Sequence, residues 1–180
     1  MRRHCVVALA LLVAGVVALG ASGAQKDPLA LVLARADVPG AKLTETARGP
    51  AAIEQGLRRM GIRARVARYA YVEVPSSSPH EITVTGVVIA VGGSGDARRT
   101  FTFLKRESLS RARAKALPRF GDEQLATYIV DAGGDVLARR NTIVWALSVR
   151  AAGAKELSWA QARPEIVRYA AKQTRRVGAG

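Results

Sequence analysis

DVLARRNTIVWALSVR, from Asp135 to Arg150, is the stretch that decides the fold class. It reads as two strands joined by a tight turn near Arg140-Asn141. In its second half Ile143, Trp145, Leu147 and Val149 alternate with Thr142, Val144, Ala146 and Ser148. That period of two marks a strand with one strongly apolar face. Trp145 brings the largest apolar side chain available, so its face looks into the core. Strands before it and helices on either side in sequence must cover that face.

Working outward, Leu125 to Val130 is a further strand, with Asp131-Ala132-Gly133-Gly134 as the turn into the hairpin. After the hairpin, Ser158-Trp159-Ala160-Gln161 has the form of a capping box. It opens a last helix to about Arg176, whose buried stripe is Trp159, Ala162, Ile166, Tyr169 and Ala170. Farther upstream, Asp27-Pro28 caps a short helix from Leu29 to Arg35, stopped by Asp37-Val38-Pro39-Gly40. Ala41 to Thr46 is a short extended piece. Gly49-Pro50 opens a second helix, Ala51 to Met60, and Gly61 ends it.

Ile62 to Val74 is a long strand. Its even positions are apolar except Arg68, so the even side is expected to face the core and the odd side to be more open. Ile82 to Val91 is its partner. There the apolar parity changes after Gly86, which means either a bulge at that glycine or burial of this half on both faces. A helix follows from Ala97 to about Ser108, with Asp96 as its cap, and Ser110 to Lys115 reads as a turn or frayed continuation. Adjacent strands with short turns mean an antiparallel sheet. Helices inserted in two groups then point to an α+β two-layer sandwich, a sheet of about five strands with helices packed on one face.

The chain begins with a basic Met1-Arg2-Arg3, an apolar run from Cys5 to Leu19 and the small residues Ala21-Ser22-Gly23-Ala24. This is the pattern of a secretory signal peptide cleaved after Ala24. The run is shorter than the roughly 20 residues a spanning helix needs. Residues 1–24 are therefore assigned to the signal and 25–180 to a single α+β domain, with no transmembrane span expected after cleavage. Cys5 is the one cysteine of the chain, so the mature protein has no disulfide, thiolate nucleophile or cysteine metal site.

The whole chain carries 28 basic and 14 acidic residues, a net charge of +14. Loss of Arg2 and Arg3 leaves 26 against 14, or +12. Such a balance favours anionic partners such as lipid headgroups or wall polymers, although arginine in a chain rich in Ala, Gly and Val also reflects composition alone.

Catalytic side chains are scarce. His80 is the only histidine after cleavage and sits in the loop Ser76-Ser77-Ser78-Pro79-His80, a poor setting for a Ser-His-Asp site. The loop Gly92-Gly93-Ser94-Gly95 lacks the remaining elements of a phosphate-binding fingerprint, and Asp96 beside it repels phosphate. Asp122-Glu123 and Asp131 with Asp135 are acidic pairs that fit turns and solvated positions better than metal sites or a catalytic pair. No cofactor, metal or specific nucleic-acid partner is expected.

Two surfaces remain as candidates. On the open side of the first long strand Arg63, Arg65, Tyr69 and Tyr71 point one way, and Thr83 and Thr85 are placed to join them as a ligand-binding face. Arg98, Arg99, Lys105, Arg106, Arg111 and Arg113 form a basic run for an anionic surface, with Arg168, Lys172, Arg175 and Arg176 adding a basic end to the last helix.

Four features together resemble secreted sensor-like and lipoprotein-type domains of actinobacteria, and distantly the extracellular sensor domain of mycobacterial serine/threonine kinases. They are Ala36-Asp37-Val38-Pro39-Gly40 after the early helix, Gly121-Asp122-Glu123 before a strand, the Val144-Trp145 hairpin strand and the final Ala/Arg-rich helix. The resemblance implies helices against an antiparallel sheet and a binding or sensing role rather than catalysis. The expected function is a secreted, non-enzymatic binding or sensor-like domain of the bacterial cell envelope, taking a small apolar or anionic ligand. The alternative is a basic surface-interaction protein docking on anionic lipid or cell-wall polymer.

Overall fold

A computed structural model describes residues 26–179 apart from 50, 76–80, 111, 131 and 153–155. The segment expected to be a signal peptide, the Ser76–His80 loop, Arg111 and Asp131 lie outside the described residues. The hairpin of Asp135–Arg150 forms as expected. Its strands pair from Arg140↔Ile143 outward, across a two-residue turn in which Asn141 takes a positive φ of 53°. Asparagine tolerates that left-handed conformation better than most residues.

Around the hairpin the strands are β1 (Lys42–Arg48), β2 (Ala64–Glu73), β3 (Ile82–Val91), β4 (Arg113–Lys115), β5 (Glu123–Ile129), β6 (Gly133–Arg140) and β7 (Ile143–Ala151). All pairings are antiparallel, in the order β1-β2-β3-β7-β6-β5-β4. The sheet thus has seven strands rather than about five. The two additional ones, β1 and β4, are its edges. The α-helices are α1 (Ala51–Arg59), α2 (Ser94–Leu109) and α3 (Trp159–Ala179). The expected helix over Leu29–Arg35 is instead two single 3₁₀ turns, Pro28–Ala30 and Arg35–Asp37.

The helices do not share one face. One core holds Tyr69, Tyr71, Val84, Val88, Trp145 and Leu147 of the sheet with Ile166, Tyr169 and Ala170 of α3 and Leu31 to Leu33 of the N-terminal segment. A second core, on the other face, holds Val66, Ile89, Leu137 and Val144 with Leu57 of α1 and Ala97 and Phe101 of α2. The domain is α+β, but it has three layers. The reason lies in the central strands. Val88 and Ala90 serve the first core while Ile89 and Val91 are buried on the opposite side, so one layer of helices cannot keep water from both faces.

No bulge interrupts β3. Its register with β2 runs without a shift from Ala64↔Val91 to Glu73↔Ile82, and the parity change at Gly86 marks burial on both sides. Gly86 is itself on the first face, opposite Tyr69, and a Cβ added there would fall on the Tyr69 ring. Trp145 is 0% exposed. Burying about 200 Å² of its surface stabilises the fold by about 5 kcal/mol at roughly 25 cal/mol per Å². Its indole N–H has no hydrogen-bond partner among the described residues, which offsets part of that gain.

Local signals set the helix ends. At the end of α1, Ile62 N donates to Leu57 O (2.9 Å) and Gly61 N to Arg58 O (2.9 Å), with Gly61 at φ 74°. This is a Schellman closure, and its Leu57 and Ile62 side chains join the second core. At the start of α3, Gln161 Oε1 accepts from Ser158 N (3.1 Å) and Gln161 N donates to Ser158 Oγ (3.4 Å), the capping box expected from the sequence. No helix among the described residues is long and apolar enough to cross a membrane.

Candidate functional site

The open tyrosine face expected from the sequence does not exist. Tyr69 is 2% and Tyr71 0% exposed, both beneath α3 and the N-terminal segment. Tyr71 Oη donates to Leu33 O (2.9 Å), and the rings of Tyr69, Tyr71 and Tyr169 follow one another at 5.9 and 6.1 Å. Burial, reinforced by Asp37, pushes the Tyr71 phenol up to about 12. Burial likewise pushes Tyr169 up to about 12 and raises Tyr69 well above its ordinary value. Arg63 and Arg65 are exposed, near the start of β2. The four residues do not form one surface.

The register also separates the tyrosines from the threonines. Tyr69 faces Gly86 and Tyr71 faces Val84, whereas Thr85 pairs with Ala70 and Thr83 with Val72. Directly paired residues share a face. Thr83 and Thr85 therefore lie on the second face, with the even positions of β2.

That second face is only partly covered. The helices α1 and α2 pack over Val66, Ile89, Leu137 and Val144, and the long strands run on past them. Beyond the cover, Thr85 is exposed, and Thr83, Ser148, Arg150 and Asp135 are half-exposed. A groove of about 160 Å³ opens here, between Ser108 near the end of α2 and strands β3, β7, β6 and β5. Its floor is apolar, formed by Val87, Leu125, Leu137 and Ala146, and its polar groups are Thr85, Thr127, Ser148 and Asp135. A second recess of about 320 Å³ adjoins it, sharing Ser108 and Asp135.

Asp135 is the best-held polar group of the groove. Its Oδ1 accepts from Ser148 Oγ at 2.5 Å and from Arg150 Nη2 at 2.7 Å, and Arg150 Nη1 donates to Gly134 O at 2.9 Å. The Ser148 hydroxyl proton is committed to a carboxylate whose charge Arg150 already balances. This arrangement fixes the groove wall. No group of three or more metal-ligating side chains occurs among the described residues.

The basic run is split. Arg98, Arg99, Lys105 and Arg106 are exposed on α2. Arg113 pairs with Tyr128 on the edge strand, on the first face, where the next residue of the same parity, Lys115, lies over the rings of Tyr128 (5.6 Å) and Trp159 (5.9 Å). In the last helix Arg176 Nε is 2.7 Å from Asp37 Oδ2, Lys172 Nζ donates to Asp37 O (2.6 Å), and Arg168 pairs with Glu165 and Glu73. These cations bind α3 to its neighbours, and only Arg175 of the four remains exposed.

Two of the short motifs noted in the sequence are structural joints. Asp37 accepts from Ala34 N (2.7 Å) as well as Arg176, and Val38 beside it is 0% exposed, so this segment seats α3. Asp122 and Glu123 hold Arg139, whose side chain is 8% exposed, at 3.4 and 2.9 Å. The site residues Asp135, Ser148 and Thr127 were not singled out as a binding cluster. They meet only through the strand register, as the row Thr127↔Asp135↔Ser148, while the residues two places along each strand are apolar, glycine or Arg150, so no single strand carries a signal for them.

In structure the chain is similar to the extracellular domain of PknH from Mycobacterium tuberculosis. The TM-score is 0.54 at 12% identity, over 84% of this chain and 94% of that one. At the level of fold this bears out the resemblance to a mycobacterial sensor domain read from the sequence. No protein-family model matches the chain. No curated protein matches it in sequence.

Proposed function

We propose that this protein is a sensor-like binding domain working outside the membrane in a bacterial cell envelope, and that its ligand seat is the groove on the uncovered half of the second sheet face. The observation that carries the reading is the mismatch between strand length and helix cover. It leaves an apolar floor open to solvent, with Thr85, Thr127, Ser148 and Asp135 placed to orient a ligand. Sites of this build, apolar with a few fixed polar groups, serve recognition. The fold likeness to an extracellular domain supports the location, as does the leader-like start of the chain. The groove volume suits a small apolar fragment with a hydroxyl or amide, or one end of a longer molecule lying on into the adjoining recess.

Native mass spectrometry of the mature protein, purified gently from its own host, tests this. The expected result is a reproducible added mass that is lost when Ala146→Phe fills the groove floor. A bare wild-type mass, or an added mass that Ala146→Phe retains, would contradict the assignment.

A further inference from the structure

The outer side of α2 plays no part in the groove. The helix buries Ala97, Thr100 and Phe101 against the sheet. Its other side presents Arg98, Arg99, Lys105 and Arg106, with Phe103 37% and Leu109 42% exposed. Arg99, Phe103 and Arg106 follow one another at helical spacing, and Arg98, Lys105 and Leu109 form the row beside them. A shallow recess of about 400 Å³ is lined by Phe103, by Met60 just after α1, and by Arg98, Arg99 and Arg106. Arg99 is held by Asp96 (2.7 Å), and Arg98 lies 3.4 Å from Glu123 while 73% exposed. Lys105 and Arg106 have no ion-pair partner among the described residues.

Cations without partners call for an anion. An exposed Phe and Leu among them call for an apolar phase beneath that anion. A bilayer containing anionic phospholipid offers both, whereas an anionic wall polymer gives Phe103 and Leu109 nothing to enter. We infer that α2 is a membrane-docking helix, lying along the bilayer surface with Phe103 and Leu109 in the acyl boundary, Lys105 and Arg106 at lipid phosphates and the exposed, ion-paired Arg98 and Arg99 beside them. The groove opens on the same face of the sheet, so a docked domain presents its ligand seat towards the bilayer.

The test is co-sedimentation with vesicles of phosphatidylcholine, with and without phosphatidylglycerol. The chain used begins at Gln25, which keeps every described element and removes the apolar leader that would bind vesicles by itself. Binding is expected only with phosphatidylglycerol, and it weakens steeply between about 0.1 and 1 M salt as screening shortens. Lys105→Ala with Arg106→Ala weakens it about thirtyfold, from roughly fivefold per cation near an anionic surface. Phe103→Ala weakens it about tenfold. All three positions are exposed, so circular dichroism should report an unchanged fold. Equal binding to pure phosphatidylcholine, or binding that none of these substitutions alters, would overturn the inference. So would capture by soluble polyphosphate that competes fully with vesicles and is indifferent to Phe103→Ala.

Discussion

Replacing Gly86 by alanine adds one methyl group, and the structure says where it goes. Gly86 is paired directly with Tyr69, a residue only 2% exposed whose ring occupies the space above the glycine. The new Cβ would land on Cζ, Cε1 and Oη of that ring. The ring cannot swing aside freely, because Tyr71 packs edge-on against it with centroids 5.9 Å apart. Overpacking of this kind costs about 3 kcal/mol, the upper end of the usual range. Against it stands a gain of about 1 kcal/mol from restricting the unfolded chain and removing a strand glycine. The net expectation is a loss of about 2 kcal/mol, read as a fall in Tm of roughly 4–8 °C for a domain of this size.

A double-substitution cycle isolates the cause. Tyr69→Leu removes the atoms that the methyl group would strike. In that background Gly86→Ala should be neutral or slightly stabilising, giving a coupling of about 2 kcal/mol. Urea unfolding of the four proteins supplies the numbers. Simple additivity of the two substitutions would refute the assignment of the Tyr69 face to the core, and so would a Gly86→Ala protein as stable as the wild type.

Two further outcomes follow from the same packing. Tyr71 and Tyr169 are both raised to about 12 by burial, above their ordinary value of 10.0. Stability linked to them is fully present below about pH 10 and is lost as pH rises towards 12, by roughly 1.4 kcal/mol per pH unit for each tyrosine. Thermal melts should fall steeply across that window and coincide with the rise of tyrosinate absorbance. Ionisation of these tyrosines near pH 10 in an intact fold would contradict it. Separately, Arg139→Ala removes the partner of Glu123 and Asp122 and the donor to Asn141 O (3.2 Å). Its cost should be about 2 kcal/mol in urea melts, moderated because both carboxylates are partly solvated. No measurable loss would mean that this joint does not hold the β5–β6 end of the sheet.

The readable parts of the fold were those with strong periodic signals. The hairpin showed itself because Ile143, Trp145, Leu147 and Val149 repeat at two. The cap and stripe of α3 showed themselves through Ser158, Gln161, Ile166 and Tyr169. The edge strands were weaker. The sequence shows β1 only as an extended piece over Ala41–Thr46, and β4 only within a turn or frayed helix end over Ser110–Lys115, because edge strands carry polar residues on both sides and so lose the alternation that marks a buried strand.

The sidedness of β2 went wrong for a physical reason. Its even positions are apolar except Arg68, yet the tyrosines at 69 and 71 bury more surface and each faces the first core. Arg68 among those even positions was the contrary sign; in the fold it reaches Glu45 on β1 and stays exposed. Once β2 is turned over, Thr83 and Thr85 change company, and the candidate site moves from the tyrosines to Ser148 and Asp135. Which half of a sheet face the helices leave bare depends on where α1 and α2 dock, and no local pattern records that.

The measurement that bears most directly on the open half-face is thiol labelling of single cysteines, since the chain from Gln25 contains none of its own. Val84 and Thr85 are neighbours on β3, one 0% exposed under the first core and the other exposed at the groove. Thr85→Cys should react with a maleimide at nearly the rate of a free thiol, and Val84→Cys only as fast as the domain unfolds. Local opening of the strand would affect both alike, so the ratio reports sidedness alone. A protected thiol in Thr85→Cys, or equal rates in the two, would contradict the placing of the ligand seat on this face.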